Sequence, residues 1–137
     1  MKNISFAWTT DALLAGRKTC TCRNWERAYA ERFKAGELIA AFDRSPRFKG
    51  KQIATIRLTH DATFGKLIDV LGGFEAAYEA EGFAYYDEQV AAGNQKARKA
   101  IERNLGVEAG ETLRDWLRES ADWGEWVIRF EVVEFAP

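Results

Sequence analysis

The chain has 137 residues, of which 47% are hydrophobic and 30% are charged, and its formal net charge at pH 7 is −1. This length fits a single domain, residues 1–137, and this composition excludes a disordered chain because a sizeable core can be buried. The near-neutral total argues against a protein that coats nucleic acid indiscriminately. The charge is nevertheless uneven, since residues 1–60 carry 12 Lys or Arg against 5 Asp or Glu. A basic half is compatible with a surface that faces phosphate, unless folding intermixes the two halves.

The sequence carries no sign of export or of membrane insertion. No apolar signal region stands at the start, and no apolar run approaches the 18 residues that a membrane helix requires. Cys20 and Cys22 are two positions apart on one predicted strand, where they are poorly placed for a mutual disulfide. We therefore expect a cytoplasmic protein with reduced thiols and no membrane contact.

The first elements are a strand and a short helix. Alternating apolar residues over 2–8 predict the strand. Thr9 or Thr10 is expected to cap the helix, which ends where Gly16 takes the left-handed conformation at low cost.

A second strand over 19–23 follows this helix. Alternation places its two cysteines on the core face and leaves Thr21 and Arg23 facing outward or into a cleft. Lys18 lies at the mouth of the strand, next to Arg17. This grouping predicts a site for an anion or a polar ligand, although cations near the end of a helix are also common for electrostatic reasons alone.

The rest of the chain alternates strands with a helical middle. Gly93-Asn94 is expected to kink or split the longest helix, and the length of the last strand predicts a central place in a curved sheet. About five strands with helices between them predict an α+β domain or a small barrel. The predicted elements are a helix from Asn24 to Gly36, strands over 37–42 and 51–59, helices over 64–71, 74–81, 85–104 and 111–120, and a strand over 125–135.

The loop over 43–51 is basic, and it joins two strands as a hairpin. With Phe48 among the cations, it is suited to follow a phosphate backbone and to stack on a base. A solvated hairpin tip is the equal alternative. The four cations are Arg44, Arg47, Lys49 and Lys51.

Familiar catalytic sets are largely excluded. His60 is the single histidine, and its place beside Asp61 after a strand predicts a solvated turn. Together with Cys20 and Cys22 it makes a poor zinc set, because the thiols are expected to face the core. No glycine-rich phosphate loop is present. We therefore expect neither a metal nor a cofactor.

The stretch 16–23, GRKTCTCR, has the pattern Gly-x-Lys-Thr-x-Thr-x-Arg after a short helix. It resembles the ASCH domain, and the resemblance extends over Ile4–Phe135. The resemblance implies an α+β fold, a PUA-like small β-barrel of about five to six strands with surrounding helices. The family often has Glu where this chain has Thr21, and a Thr there is similar to the single-domain bacterial branch that removes the acetyl group from N4-acetylcytidine.

The same resemblance implies a catalytic set of Lys18, Thr21 and a Glu from a later helix. Glu81 is the preferred counterpart by position, while Glu75 and Glu79 stay open. Chemically, a Thr hydroxyl needs a base to become a nucleophile, and a buried Lys can serve as that base. The Glu can position water or give a proton to the departing nitrogen, and Arg23 can hold a carbonyl oxygen or a phosphate. The alternative is an ordinary Lys18–Glu81 ion pair and no turnover.

Three functions follow from these observations. The first is a metal-independent amidohydrolase that cleaves the N4-acyl amide of cytidine derivatives. The second is a single-strand ribonuclease or a non-catalytic RNA-binding module, and the third is a protein-interaction module with a vestigial pocket. The helical stretch 85–120 is an addition relative to a minimal chain of this branch. Three roles would account for it: a remodelled pocket mouth, a homodimer contact or a surface for larger RNA.

Two further groups of side chains receive structural interpretations. We expect a solvated helix face from the first group and core positions from the second. The first group is Lys96, Arg98, Lys99 and Arg103, and the second is Trp116, Trp123 and Trp126.

Overall fold

The computed structural model describes residues 1–120 and 123–137. Its strands are β1 (Asn3–Ser5), β2 (Cys20–Arg23), β3 (Leu38–Phe42), β4 (Gln52–Leu58), β5 (Thr63–Gly65) and β6 (Glu125–Phe135). Its helices are α1 (Thr10–Leu14), α2 (Arg27–Ala30), α3 (Leu67–Leu71), α4 (Phe74–Ala80), α5 (Phe83–Ala91), α6 (Gln95–Leu105) and α7 (Leu113–Ser120). Short 3₁₀ turns cover Ala7–Thr9 and Pro46–Phe48.

The strands form one curled sheet in the order β1-β3-β4-β6-β2, with β5 also paired to β6. Val127 of β6 pairs with both Cys22 of β2 and Thr63 of β5, so these strands lie on opposite edges of β6. The predicted central place of the last strand is therefore confirmed. Among the described residues, no backbone pairing joins β1 to β2. The sheet is thus a half-barrel with an open seam, and the expected α+β fold of the PUA-like small-barrel type is confirmed.

The first strand is shorter than predicted. The strand pairing with β3 ends at Ser5, although one more hydrogen bond follows it, from the Phe6 amide to the Phe42 carbonyl at 2.8 Å. Ala7 then takes a left-handed φ of 47°, which turns the chain out of the sheet. Alternation of apolar residues does not reveal such a turn, so the prediction of a strand to residue 8 is wrong.

Two predicted helices are also shorter than expected. In one, an apolar side chain is buried without helix formation, and in the other, part of the backbone pairs with a strand. The helix expected from Asn24 to Gly36 is a single turn, α2. Phe33 is nonetheless fully buried, and its ring stacks on Trp25 with centroids 4.5 Å apart. The stretch 64–71 begins as β5, since the free edge of β6 accepts it, and becomes helical at Leu67.

The hydrophobic core has two main parts. One lies against the sheet and includes Ile56 and Ile128, and the other lies among the helices and includes Ile101 and Leu113. The helical part needs the predicted break between α5 and α6, where the Asn94 side chain accepts a hydrogen bond from the Ala97 amide at 3.0 Å. None of the helices in 1–120 and 123–137 is long and apolar enough to cross a membrane.

Candidate functional site

A cavity of about 340 Å³ opens at the seam between β1 and β2. Chain from the end of β1 forms one wall, β2 forms another, and helices α4 to α7 close the remaining side. About half of the residues in its lining are apolar or aromatic, and most of the others carry ionic or hydroxyl groups. The aromatic residues are Phe6, Trp8, Phe83, Trp116 and Trp123, and the ionic or hydroxyl residues are Ser5, Thr9, Lys18, Thr21, Arg23, Glu81, Ser120 and Glu125.

Lys18 and Glu81 form a buried ion pair in this lining. Lys18 is 2% exposed and Glu81 is 7% exposed. The Lys18 ammonium donates to the Glu81 carboxylate at 3.0 Å and to the Glu81 main-chain carbonyl at 2.9 Å. The second bond also satisfies a carbonyl at the end of α4, which a helix leaves without an internal partner.

Backbone contacts hold the pair in place. Gly16 has a φ of 72° and ends α1, as predicted, after which the Arg17 amide donates to the Ala12 carbonyl at 2.9 Å. The Thr19 amide donates to the Ala80 carbonyl at 2.8 Å, which ties the start of β2 to the end of α4. The ion pair therefore lies between two points at which the chain is anchored.

Gly82 permits this close approach. Its φ is 86°, and a Cβ there would lie 2.8 Å from the Ala12 Cβ and 3.4 Å from the Lys18 Cβ. We expect Gly82→Ala to lower the free energy of unfolding by more than the roughly 1–2 kcal/mol of a left-handed alanine. Gly72→Ala is the matched control, because Gly72 has a φ of 84° and open space around it. Urea denaturation measures both, and equal losses would contradict the packing argument.

Thr21 faces the cavity from β2 and is 6% exposed. Its hydroxyl makes no side-chain hydrogen bond to any part of the chain that the structure describes. The neighbouring Cys22 also lines the cavity, and burial, followed by the Glu81 carboxylate, raises the pKa of its thiol far above the ordinary value. The thiol therefore stays protonated at neutral pH.

Arg23 bridges the open seam. Its Nη2 donates to the Ser5 carbonyl of β1 at 2.6 Å, and its guanidinium lies 5.9 Å from the centre of the Phe6 ring. Burial lowers the pKa of Arg23 below its ordinary value. The Nε of Arg23 is buried without a hydrogen-bond partner among the described residues. Arg23 thus holds the two sheet edges together beside the cavity.

The other carboxylates considered in the sequence lie outside the cavity lining. Glu79 is paired with Arg17 at 3.4 Å, and Glu75 is paired with Arg114. Arg17 also pairs with Glu88, and that hydrogen bond raises the pKa of Arg17. The structure therefore brings Glu81, and neither Glu75 nor Glu79, to Lys18, while Arg17 is engaged on the outer surface.

The predicted basic loop is a separate feature. It forms the tip of the β3–β4 hairpin, where Phe48 is 67% exposed. None of its cations lines the cavity; they are Arg44, Arg47, Lys49 and Lys51. His60 is exposed, with its Nδ1 2.9 Å from the Thr59 hydroxyl, as expected for a solvated turn.

Sequence reasoning missed the aromatic lining. The core interpretation holds for Trp126, which is 5% exposed, but it is wrong for Trp123, which is 59% exposed at the cavity. Trp116 is half-buried with its ring edge-on to Phe83, and it lines the same cavity. Trp8 was expected on a strand and lies instead in the turn that forms the cavity wall. A single sequence contains no signal that separates a core tryptophan from one that lines a pocket.

The described residues contain no group of three or more His, Cys, Asp or Glu side chains placed to hold a metal ion. The ionic and hydroxyl groups that line the cavity are an ammonium, a guanidinium, two carboxylates and four hydroxyls.

This domain is an α+β half-barrel with a ligand-sized cavity at its seam. The structure is similar to protein EF3133 from Enterococcus faecalis V583, described by the family model DUF984, with a TM-score of 0.50 and 21% identity over 95% of this chain and 72% of that one. An ASCH domain from Lactobacillus crispatus JV V101 is also similar, with a TM-score of 0.47 and 20% identity over 97% of this chain and 79% of that one. No family model and no curated protein matches the sequence. At 21% identity, the likeness to EF3133 is evidence of a shared fold alone.

Proposed function

We propose that this chain is a metal-independent hydrolase that cleaves the N4-acyl amide of cytidine derivatives. The observation that carries the proposal is a buried Lys18–Glu81 ion pair that shares one cavity with the Thr21 hydroxyl. A volume of about 340 Å³ lies in the range of small-molecule sites. Aromatic rings around such a site suit a flat base, which stacks on them.

The ion pair favours a division of roles that differs from the one expected in the sequence. Lys18 already donates two hydrogen bonds to Glu81, so it acts here as a donor. The ammonium has three N–H groups, and the third is suited to polarise an acyl oxygen. Glu81 is then the group that accepts and returns protons.

The reaction proceeds through an acyl-enzyme. Glu81 accepts the Thr21 hydroxyl proton as the oxygen attacks the acetyl carbon, and Lys18 stabilises the negative oxygen of the tetrahedral intermediate. The carbon–nitrogen bond breaks, the proton passes from Glu81 to the departing N4, and cytidine leaves. Water then attacks the ester with its proton going to Glu81, and that proton returns to Thr21 as acetate leaves.

Turnover of N4-acetylcytidine tests this proposal. We expect the protein to release equal amounts of cytidine and acetate, as measured by chromatography, whether or not a chelator is present. We expect Glu81→Gln to lower kcat by about 10²- to 10⁴-fold, which is the usual value of acid–base catalysis. Glu79→Gln is the matched control, because it changes an exposed carboxylate two positions away and is expected to keep the wild-type rate. No release of acetate by the wild type would refute the proposal.

RNA binding at the hairpin tip is the second candidate function. The observation that favours it is the exposed Phe48 ring among cations that form no ion pair within residues 1–120 and 123–137. Such a tip would bind single-stranded RNA through phosphate contacts and stacking, with or without cleavage of the strand. Removal of its positive charges should then weaken RNA binding, and unchanged binding would count against this function.

A further inference from the structure

A second groove, of about 620 Å³, adjoins the cavity on the side of α6. Its cations come from one face of that helix, at positions 96, 99 and 103, a spacing that brings side chains onto one stripe. Opposite them the groove is lined by the turn after β1, the start of α1 and Tyr86. The cations are Lys96, Lys99 and Arg103.

The groove and the cavity share a wall. Ala7 and Trp8 line both, so one turn of chain separates the two spaces. On the helix side, Asn104 lines the groove and the next residue, Leu105, lines the cavity. The cavity and the groove are therefore direct neighbours, with the turn at Trp8 between them.

The positive face of α6 is held in a fixed position. Ala97 and Ile101 are buried in the helical core, and the Asn94 cap secures the first turn. Trp8 is held in the same way, since its carbonyl accepts a hydrogen bond from the Tyr86 hydroxyl at 2.8 Å. Both walls of the groove are thus built on ordered elements.

The side chains of the three cations have no polar partner among the described residues, although Arg103 lies in the last turn of α6, where a cation complements the helix dipole. None of them forms an ion pair or a side-chain hydrogen bond with the residues that the structure describes. Arg98 of the same helix differs, because it binds Glu102 and the carbonyls of Glu108 and Glu111. The expected solvated face is therefore wrong for Arg98, which fastens α6 to the loop before α7. Among the described residues, Asp11 is the one carboxylate in the groove lining, so the balance of charge there is positive.

We infer that this groove binds the phosphate of a ligand whose base occupies the cavity. The substrate is then a nucleotide or a residue within single-stranded RNA, and a free nucleoside would use only part of the site. Positive charges with no internal partner, next to an aromatic cavity, match the two parts of a nucleotide. This inference rests on the proposed function for the identity of the base, whereas the phosphate contact can be measured without turnover.

Binding of fluorescein-labelled hexacytidylate RNA, followed by anisotropy between 25 and 200 mM KCl, tests the contact. Because each phosphate neutralised on a single strand contributes about −0.7 to the slope of log K against log salt, loss of three contacts should reduce that slope by about 2. We expect this change in Lys96→Gln/Lys99→Gln/Arg103→Gln. The matched control is Arg44→Gln/Arg47→Gln/Lys49→Gln, which removes equal charge at the hairpin tip and should keep most of the slope.

Competition distinguishes the two sources of phosphate. If cytidine 5′-monophosphate displaces the labelled RNA from the wild type about tenfold better than from the α6 variant, one phosphate is enough. If unlabelled hexacytidylate competes better with the wild type than with the α6 variant, and the mononucleotide competes equally with both, the groove binds a strand of RNA. Either result supports the inference.

Two results would overturn it: an α6 variant with the wild-type slope, or the loss of slope in the hairpin variant instead. Thermal melting checks that both variants fold, as expected for exposed side chains. The proposed function fails separately. If N4-acetylcytidine is not hydrolysed while the α6 variant still loses its salt dependence, the amidohydrolase is refuted and the phosphate groove stands.

Discussion

Thr21→Val is expected to lower kcat for N4-acetylcytidine by about 10⁴- to 10⁶-fold, as for other removed nucleophiles. The physical reason is that Val keeps the shape of the side chain and removes the oxygen that would carry the acetyl group. The free energy of unfolding should change by less than about 1 kcal/mol, because the Thr21 hydroxyl has no hydrogen-bond partner to lose. Steady-state kinetics and urea denaturation measure the two quantities on the same preparation.

Two further variants make this result specific. Thr21→Ser retains a hydroxyl and should keep much of the activity. Thr19→Val removes a hydroxyl two positions earlier on an exposed side chain and should leave kcat unchanged. If Thr21→Val hydrolyses the substrate at the wild-type rate, the hydroxyl is not the nucleophile and water must attack directly.

Lys18→Met is expected to lower the free energy of unfolding by about 3–5 kcal/mol, because it leaves the Glu81 carboxylate buried without its partner. The double variant Lys18→Met/Glu81→Leu should recover most of that loss, since an apolar pair of similar volume needs no solvation. Both variants should lack detectable hydrolysis, because they have lost the donor to the acyl oxygen. Chemical denaturation and the turnover assay give the two measurements.

Arg17→Met is the matched control for this pair. Arg17 is adjacent in sequence and is also ion-paired, but its partners Glu79 and Glu88 are exposed. Solvent screens exposed ion pairs, which contribute little to stability, so the loss of free energy of unfolding should be small. A double variant that recovers stability and still hydrolyses N4-acetylcytidine would show that the buried pair is structural only.

The sequence by itself determined the features that depend on neighbours along the chain. Gly16 ends α1, Thr21 faces away from Cys20 on the next strand, and the strand over 125–135 has the predicted bounds and the central place. These follow from alternation and from the conformational freedom of glycine, which act over a few residues. The resemblance of 16–23 to ASCH domains is also a pattern of eight neighbouring residues, and it singled out Lys18 and Thr21 from the sequence alone.

Only the tertiary structure decided which carboxylate meets Lys18. Three glutamates on or next to α4 were candidates, and Glu81 reaches the ammonium because the chain turns at Gly82 against α1, a contact with Ala12 that no local pattern encodes. Packing likewise reduced the predicted helix after Asn24 to one turn and brought Trp123 to the cavity. Such outcomes depend on which distant surfaces remain to be covered once the sheet has curled, and residues far apart in the sequence determine them jointly.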